Sequence, residues 1–421
     1  MKLDRGNRRP VFAFQATDAS SDNFPPNSLT TKVCSLKVKQ RREDFVVTEV
    51  SNGYRTGGGP FAVYTLEKSG IGTVEAIEVV RRDWDIAGYR TSFGGRKDRH
   101  AVTTQTVTIK DGPMEDFPHQ KFSLRYRGQA AEAFTAKDIE ANHFQICMRN
   151  LTPPKAEAWR AKLQNLELLA PNYFDEQRFG SVGRSGEFVA QPWCKANYER
   201  AVFLALAEAN SKDRQHEAEQ KELLRENWGD WIQCKELLAR SNRRSVVTYL
   251  CDHPEGFKKA AGLISRDMRS LYVAAFQAAI WNEMVSRWIK SKTSEAALQS
   301  STCCQLAFPT QASDFEGREK DTLPLPSSRP TKWAAEMRSI LEKVCSGYDL
   351  KPHKLRFSFP RDVFFSRAAR PLFLQIDDLD AVVDEDELNS YADTEKSALR
   401  LDFRLQAGQY ATMLMRTLEN F

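Results

Sequence analysis

Strand-forming sequence occupies both ends of this chain and helix-forming sequence its middle, an order that restricts the fold more than any single residue does. Near the start, residues 45–50 (FVVTEV) and 61–66 (FAVYTL) are β-branched and aromatic runs. Asn52-Gly53 and Gly57-Gly58-Gly59 lie between them, so the two look like a hairpin. Strand-like runs recur at 102–109, at 144–148 and, close to the end, at 399–406. Between these, residues 195–250 are rich in Ala, Glu, Lys, Arg and Leu. Residues 271–289 (LYVAAFQAAIWNEMVSRWI) place Val273, Phe276, Ile280 and Met284 on one face with Trp281 and Trp288 beside it. That pattern is a long, mostly buried helix whose aromatics belong to the core. Shorter helices are predicted over 74–84, with Thr73 as N-cap, and over 410–418. Residues 291–331 carry several prolines and read as a long loop; residues 16–31 read as a loose arm.

This order predicts an α+β fold, a mostly antiparallel mixed sheet interrupted by a helix-rich α+β insertion. The first segment of the sheet-bearing body is assigned to residues 1–185, with 1–31 partly a loose arm. The insertion takes 186–364 and the second body segment 365–421. A chain of 421 residues has room for more than one core, and it shows no internal repeat.

Charge is uneven along the chain. The formal net charge is only +5, but residues 1–110 hold 18 Lys/Arg against 12 Asp/Glu, and residues 371–421 hold 4 against 11. A basic N-terminal part suits a polyanion, because Lys and Arg displace counterions from a phosphate backbone; by charge alone both stretches could equally be solvated faces. The eight cysteines are scattered, with only Cys303 and Cys304 adjacent, and no C-x-x-C or Cys/His cluster has zinc-ligand spacing. No metal site is therefore expected, and the cysteine usage points to a reducing compartment. Residues 1–10 are polar and basic with no apolar run behind them, and no stretch approaches the length of a membrane span. A soluble, cytoplasmic protein, not bound to membrane, is the expectation.

The most unusual segment is residues 92–107, SFGGRKDRHAVTTQTV. Two glycines enter it, a Thr-rich strand leaves it, and Asp98 sits among Arg96, Lys97 and Arg99. Neighbouring cations favour the ionised carboxylate, which can act as nucleophile or base without a metal. Composition alone equally allows a charged surface turn in which Asp98 caps or pairs with a neighbour.

GGRKDRHAVTTQ closely resembles the G-x-K-D-R/K-x-A-V-T-x-Q signature of the TruD family of tRNA pseudouridine synthases. Further pieces fall in that family's order. Lys39 with Glu43-Asp44-Phe45 and Glu49 resembles K-x-x-P-E-D-F-x-V-x-E, and Asn142-His143-Phe144 resembles N-x-F. Residues 171–174 and 177–180 resemble P-N-Y-F-x-x-Q-R-F-G, the stretch 271–282 is similar to a helix ending in W/F-N, and 407–412 resembles A-G-x-[FY]-A-T. The resemblance spans residues 39–418. Arg42 stands where the family usually has proline, and Gly94-Gly95-Arg96 replaces A-G-x.

The resemblance implies a tRNA-uridine isomerase, acting by resemblance at position 13 in the D-arm region, with Asp98 as catalytic carboxylate. Asp98 would attack C1′ or C6, or remove a C2′ proton. The product is an isomer, so no cofactor is implied. The target base is flipped out of folded RNA and stacks on an aromatic platform, for which Phe144 is the candidate by motif position. Asn142 would hydrogen-bond the carboxylate or the uracil edge, and Lys39 would pair with Asp98 or a phosphate. Arg41, Arg42, Arg96, Lys97 and Arg99 would contact phosphates, and Arg178 and Phe179 are further substrate-binding candidates, or hinge residues where the chain leaves the body. His100 is expected to be a spectator. The partner is tRNA and the protein a monomer. Two other readings remain: a non-catalytic RNA-binding or tRNA-folding protein on the same scaffold, and the same chemistry on another RNA.

Overall fold

The structure, a computed structural model, describes residues 37–420 except 52–55, 165–167, 331–332 and 392–393. The arm expected over residues 16–31 lies outside the described residues.

The first part of the chain supplies eight strands and one helix: β1 Lys37–Val38, β2 Phe45–Ser51, β3 Phe61–Ser69, α1 Thr73–Asp83, β4 Thr91–Phe93, β5 Val102–Lys110, β6 Phe117–His119, β7 Phe122–Ala130 and β8 Ile139–Leu151. Helices follow: α2 Pro153–Gln164, α3 Ala190–Cys194, α4 Tyr198–Leu206, α5 Gln215–Glu226, α6 Trp231–Leu237, α7 Asn242–Asp252, α8 Phe257–Leu263 and α9 Arg266–Lys292. After them come β9 Ala296–Ser300, β10 Gln305–Pro309, β11 Thr322–Pro324, α10 Ala335–Gly347, β12 Ala369–Pro371, β13 Ile376–Glu385, β14 Ser397–Gln406 and α11 Ala411–Glu419. No helix among the described residues is long and apolar enough to cross a membrane.

The fold is α+β. Ten strands form one mixed sheet in the order β13-β14-β8-β2-β5-β3-β7-β6, with β1 added to β8 and β4 to β5. Strands from both ends of the chain thus lie side by side, because β14 pairs with β8 from Ser397 opposite Leu151 to Gln406 opposite Ala141. Among the described residues every ladder is antiparallel except β2 against β5, where Val46 faces Val102.

The predicted hairpin of β2 with β3 does not form. β5 lies between them, and β3 pairs instead with β5 and β7. The glycines explain the difference. The N–H groups of Gly57 and Gly58 donate to Gln129 O at 2.8 and 3.2 Å. At Gly59 (φ +128°) a Cβ would stand 2.4 Å from Ala130 O. The turn therefore delivers the chain to β7, and only glycine allows that approach. The stretch read as a loop, 291–331, likewise contains the β9–β10 hairpin and β11, with Leu306, Ala307 and Phe308 buried.

The long helix forms as the sequence predicts and extends over 27 residues. It is apolar on several sides, and Phe276, Trp281 and Trp288 are at most 2% exposed, as a core helix requires. One hydrophobic cluster joins it to β2, β8, β14 and α11. A second cluster lies under α1, built from Ala62, Tyr64 and Leu66 of β3, Val107 and Ile109 of β5, and Ile77 and Val80 of the helix. The acidic run before residue 388 lies largely on β13, at the edge of the sheet, where charge discourages pairing with another chain.

Candidate active site

Residues 94–101 connect β4 to β5, and they are held from three sides. A Cβ on Gly94 would stand 2.4 Å from Ile139 Cδ1, so any larger residue at the entry to the loop must push the Ile139 side chain aside. Gln105 of β5 donates to Gly95 O at 3.0 Å. The backbone N–H of Lys97 donates to Thr73 Oγ1 at 2.9 Å, and that hydroxyl donates on to Gln105 Oε1 at 2.7 Å. Thr73 is the first residue of α1 and Gly72 its N-cap; the predicted cap is instead a strut between helix, loop and strand. Lys68 Nζ donates to Asp98 O at 2.6 Å, and Gly70 N–H donates to Arg99 O at 3.1 Å. A loop with so many of its polar groups engaged holds its side chains in fixed directions.

The Asp98 carboxylate receives a hydrogen bond and ion pair from Lys39 Nζ on Oδ2, and the backbone N–H of His100 on Oδ1 at 3.0 Å. Burial works to raise the pKa of Asp98. The Lys39 hydrogen bond, the His100 N–H and the Lys39 charge outweigh it, and the net shift is downward, so the group is ionised at neutral pH. The side chains of Asp98 and Lys39 are each 23% exposed, open enough for a substrate to reach. Lys39 itself has φ +64°, a left-handed conformation uncommon for a residue with a side chain, and its ammonium lies 4.2 Å from the centre of the Phe45 ring.

Lys97 turns inward. It donates to Asn142 Oδ1, and its ammonium lies 3.2 Å from Glu49 Oε2 in ion-pair contact, though that oxygen has no aligned hydrogen bond. The Glu49 side chain is fully buried and accepts from Thr106 N–H at 3.0 Å on its other oxygen. Arg99 pairs with Glu75 of α1. Among the described residues, Arg96 is exposed and has no carboxylate partner, so it can face a phosphate, whereas Lys97 and Arg99 are already engaged within the protein.

Lys68 is the residue that the sequence reading missed. It is 1% exposed, and burial pushes its ammonium down to about 8, the charge of Asp98 pulling the other way. The signal was parity. Ala62, Tyr64 and Leu66 are buried, and the next residue of that face of β3 is Lys68.

Asn142 and Phe144 lie on one face of β8, opposite Glu49 and Val47 of β2. Phe144 is only 8% exposed, stacked on Phe403 at 5.5 Å with Phe45 at its edge. It forms the floor beside the site, not the open platform expected from the motif. Phe179 is 3% exposed against Phe188, so its ring serves the core and does not offer a surface to substrate. Arg178 is exposed and donates to the Tyr410 hydroxyl at 3.1 Å. Asp44 is 2% exposed and accepts from Arg41 N–H at 2.7 Å and from Arg149 at 2.8 Å, which fixes the turn between Lys39 and β2. The Arg42 guanidinium lies against Gly70.

Other motif residues converge on a joint. Asn282 of α9 accepts from Phe174 N–H at 2.8 Å and donates to Phe174 O at 2.9 Å. Trp281 Nε1 donates to Asn172 O at 3.3 Å. Arg370, 8% exposed, donates to Asn172 Oδ1 at 2.6 Å and to Gly408 O at 2.9 Å, with its guanidinium 4.0 Å from the Phe174 ring. Burial lowers that guanidinium to about 10, which leaves it charged at neutral pH.

Residues 28–418 match the family model described as tRNA pseudouridine synthase D (TruD). A Methanococcus maripaludis protein described as "Probable tRNA pseudouridine synthase D 1" is 27% identical over 410 residues, covering 91% of this chain and 100% of that one. The tRNA pseudouridine synthase D of Aquifex aeolicus is 26% identical over 400 residues, covering 91% and 98%. Among solved structures, a Methanosarcina mazei protein put forward as tRNA pseudouridine synthase D has the same fold. It superposes with a TM-score of 0.65 at 20% identity, over 92% of this chain and 94% of that one.

Proposed function

The chain belongs to the tRNA pseudouridine synthase D (TruD) family, and from that premise we propose that it isomerises uridine 13, in the D-arm region of tRNA, with Asp98 as catalytic carboxylate. The reaction breaks the bond from ribose C1′ to uracil N1 and joins C1′ to C5. N1 gains a proton and C5 loses one, so atoms and electrons balance without a donor or acceptor. What such a reaction asks of the protein is an ionised carboxylate, a place for the extruded base, and cations for the backbone.

The observation that carries the reading is the Asp98 carboxylate, ionised by the Lys39 ammonium and the His100 N–H yet 23% exposed. In the proposed reaction Asp98 supplies the nucleophile or base, and Lys39 orients it. The Asn142 side chain, its Oδ1 held by Lys97, presents its NH2 to a uracil carbonyl, and Phe144 floors the base site. Arg96, Arg41 and Arg42 contact phosphates, which position RNA without reading its sequence. Residues 186–364 act as an insertion in a body built from 1–185 and 365–421; the pairing of β14 with β8 supports that division. We propose a cytoplasmic monomer.

The test is to incubate the protein with tRNA and map pseudouridine at single-nucleotide resolution. Pseudouridine at position 13 with the wild type, and none with Asp98→Asn, is expected. Product at another position would overturn the D-arm assignment, and full activity in Asp98→Asn would overturn the role of Asp98.

A further inference from the structure

Away from Asp98, residues 355–367 (LRFSFPRDVFFSR) run without regular secondary structure from just after α10 to just before β12. Their inward side chains pin them firmly. Phe357 stacks on Trp193 with ring centres 4.6 Å apart, and Val363 and Phe365 are 7% and 5% exposed. Gln277 of α9 donates to Ser366 O and Pro326 O, both at 2.7 Å, and accepts from Ser366 N–H. With Val363 and Phe365 both turned in, Phe364 between them must turn out. It is 77% exposed, and a chain pinned on both sides cannot rotate to bury it.

The charges around that ring are of one sign. Residues 351–367 contain Lys351, Lys354, Arg356, Arg361 and Arg367 with a single acid, Asp362, and Asp362 is taken up by Arg269 of α9. Arg361 reaches only the backbone, Ser358 O at 3.4 Å. Among the described residues, none of Arg356, Arg361 and Arg367 has a carboxylate partner. All three border a cavity of about 390 Å³ together with Phe364, Ser327 and Ser328. Like charges gathered without counter-ions repel one another, and a polyanion relieves this.

We propose that this cavity binds one nucleotide of the RNA substrate outside the modified position, its base stacked on Phe364 and its flanking phosphates on Arg356, Arg361 and Arg367. The combination is what single-strand binding requires. An exposed aromatic face accepts any base, guanidinium groups hold phosphate through paired N–H donors, and the serines add hydroxyls for the ribose or phosphate. The site rests on the reading of the protein as an RNA-modifying enzyme. It places a second hold on the RNA where the insertion rejoins the body, away from Asp98.

The test uses the full chain and an unmodified tRNA transcript. Dissociation constants are measured across a salt series for wild type, Phe364→Ala, Phe364→Trp and the triple variant Arg356→Ala/Arg361→Ala/Arg367→Ala, with thermal unfolding to verify folding. Phe364→Ala should weaken binding roughly 5- to 150-fold, the range for removal of one stacked base, and Phe364→Trp should restore it. The triple variant should lower the slope of log K against log salt by about 0.7 for each phosphate it no longer neutralises. Wild-type affinity and slope in both variants, with pseudouridine still formed by the wild type, overturns the pocket and leaves the enzyme reading intact. Weakened RNA binding with no pseudouridine formed by the wild type supports the pocket and overturns the enzyme reading. Unchanged RNA binding together with loss of a protein partner from Phe364→Ala assigns the ring to protein binding and likewise overturns the proposal.

Discussion

Lys68 offers a prediction in which stability and activity should part company. Lys68 is 1% exposed and the pKa of its ammonium falls from 10.5 to about 8. A lysine whose folded pKa lies below its unfolded value is bound to its proton more tightly in the unfolded chain. Folding is therefore penalised fully below about pH 8, and the penalty fades as pH rises toward 10.5. At pH 7 the shift corresponds to about 3 kcal/mol. Lys68→Met removes that penalty but also the hydrogen bond to Asp98 O, a charge-assisted bond of about 1.5–3 kcal/mol. The two nearly cancel, so the variant should lie within about 2 kcal/mol of wild type at pH 7. By pH 10, where little penalty is left to remove, it should be the less stable of the two. Denaturant unfolding at both pH values measures this.

Activity should not follow stability. Lys68 holds the backbone of the residue whose carboxylate is proposed to react, and a displacement of about 1 Å at such a group costs on the order of a hundredfold in rate. Lys68→Met should therefore lose activity at pH 7 although it remains folded. Wild-type activity should decline as pH rises through about 8, when Lys68 loses its proton and its grip on Asp98 weakens. The variant, having no such group, should lack that decline. If Lys68→Met is equally destabilised at pH 7 and pH 10 and forms pseudouridine at the wild-type rate, Lys68 is ordinary framework and this reasoning is refuted.

Asp98→Asn should abolish pseudouridine formation while leaving tRNA binding intact; activity within about tenfold of wild type, a barrier change of roughly 1.4 kcal/mol, would count against the assignment. Because Asp98 has its pKa shifted downward, its ionised form should persist as pH falls through the ordinary carboxylate range, so any acid limb of the rate should lie below that range. Activity should survive EDTA with no added cofactor, since the isomerisation consumes nothing; loss on chelation and recovery with a divalent ion, with the tRNA shown to remain folded, would overturn this. Replacing residues 190–360 by a flexible linker should leave a body that fails circular dichroism and unfolding tests, because Trp281 and Asn282 of α9 hold Asn172 and Phe174; a folded, cooperative remnant would refute the shared joint.

The loop that carries Asp98 was legible in the sequence because glycines and charges crowd around that residue in a pattern that resembles a known family. Motif resemblance could not say which residues face substrate. Phe144 and Phe179 are motif residues, yet their rings lie at 8% and 3% exposure. The P-N-Y-F stretch, the Trp281-Asn282 pair and Gly408 meet at the joint around Arg370, where they serve packing in this chain. Lys68 escaped notice because a charged residue at the end of a strand reads as solvent-facing, although the parity of β3 pointed inward. The β9–β10 hairpin was hidden by prolines and by an outer strand whose Leu298 is half exposed.

The misread hairpin bears directly on the chemistry. Had β2 and β3 paired with each other, the start of β2 would have lain beside the end of β3, with no place for β5 between them. Instead β5 enters parallel to β2, with Val46 opposite Val102. Parallel neighbours begin at the same edge of a sheet, so the residues leading into each are brought together. Lys39 precedes β2 by six residues and Asp98 precedes β5 by four, and the two meet at that edge in an ion pair. The antiparallel pairing of β3 with β5 then carries Lys68, opposite Thr103, to the same end. Among the described residues, the one parallel ladder of the sheet therefore brings Lys39 to the carboxylate of Asp98 and Lys68 to its backbone carbonyl. A slip of one residue between β2 and β5 would turn alternate side chains to the other face and separate Lys39 from Asp98. The register Val46–Val102 is accordingly as much a part of the candidate site as the carboxylate it positions.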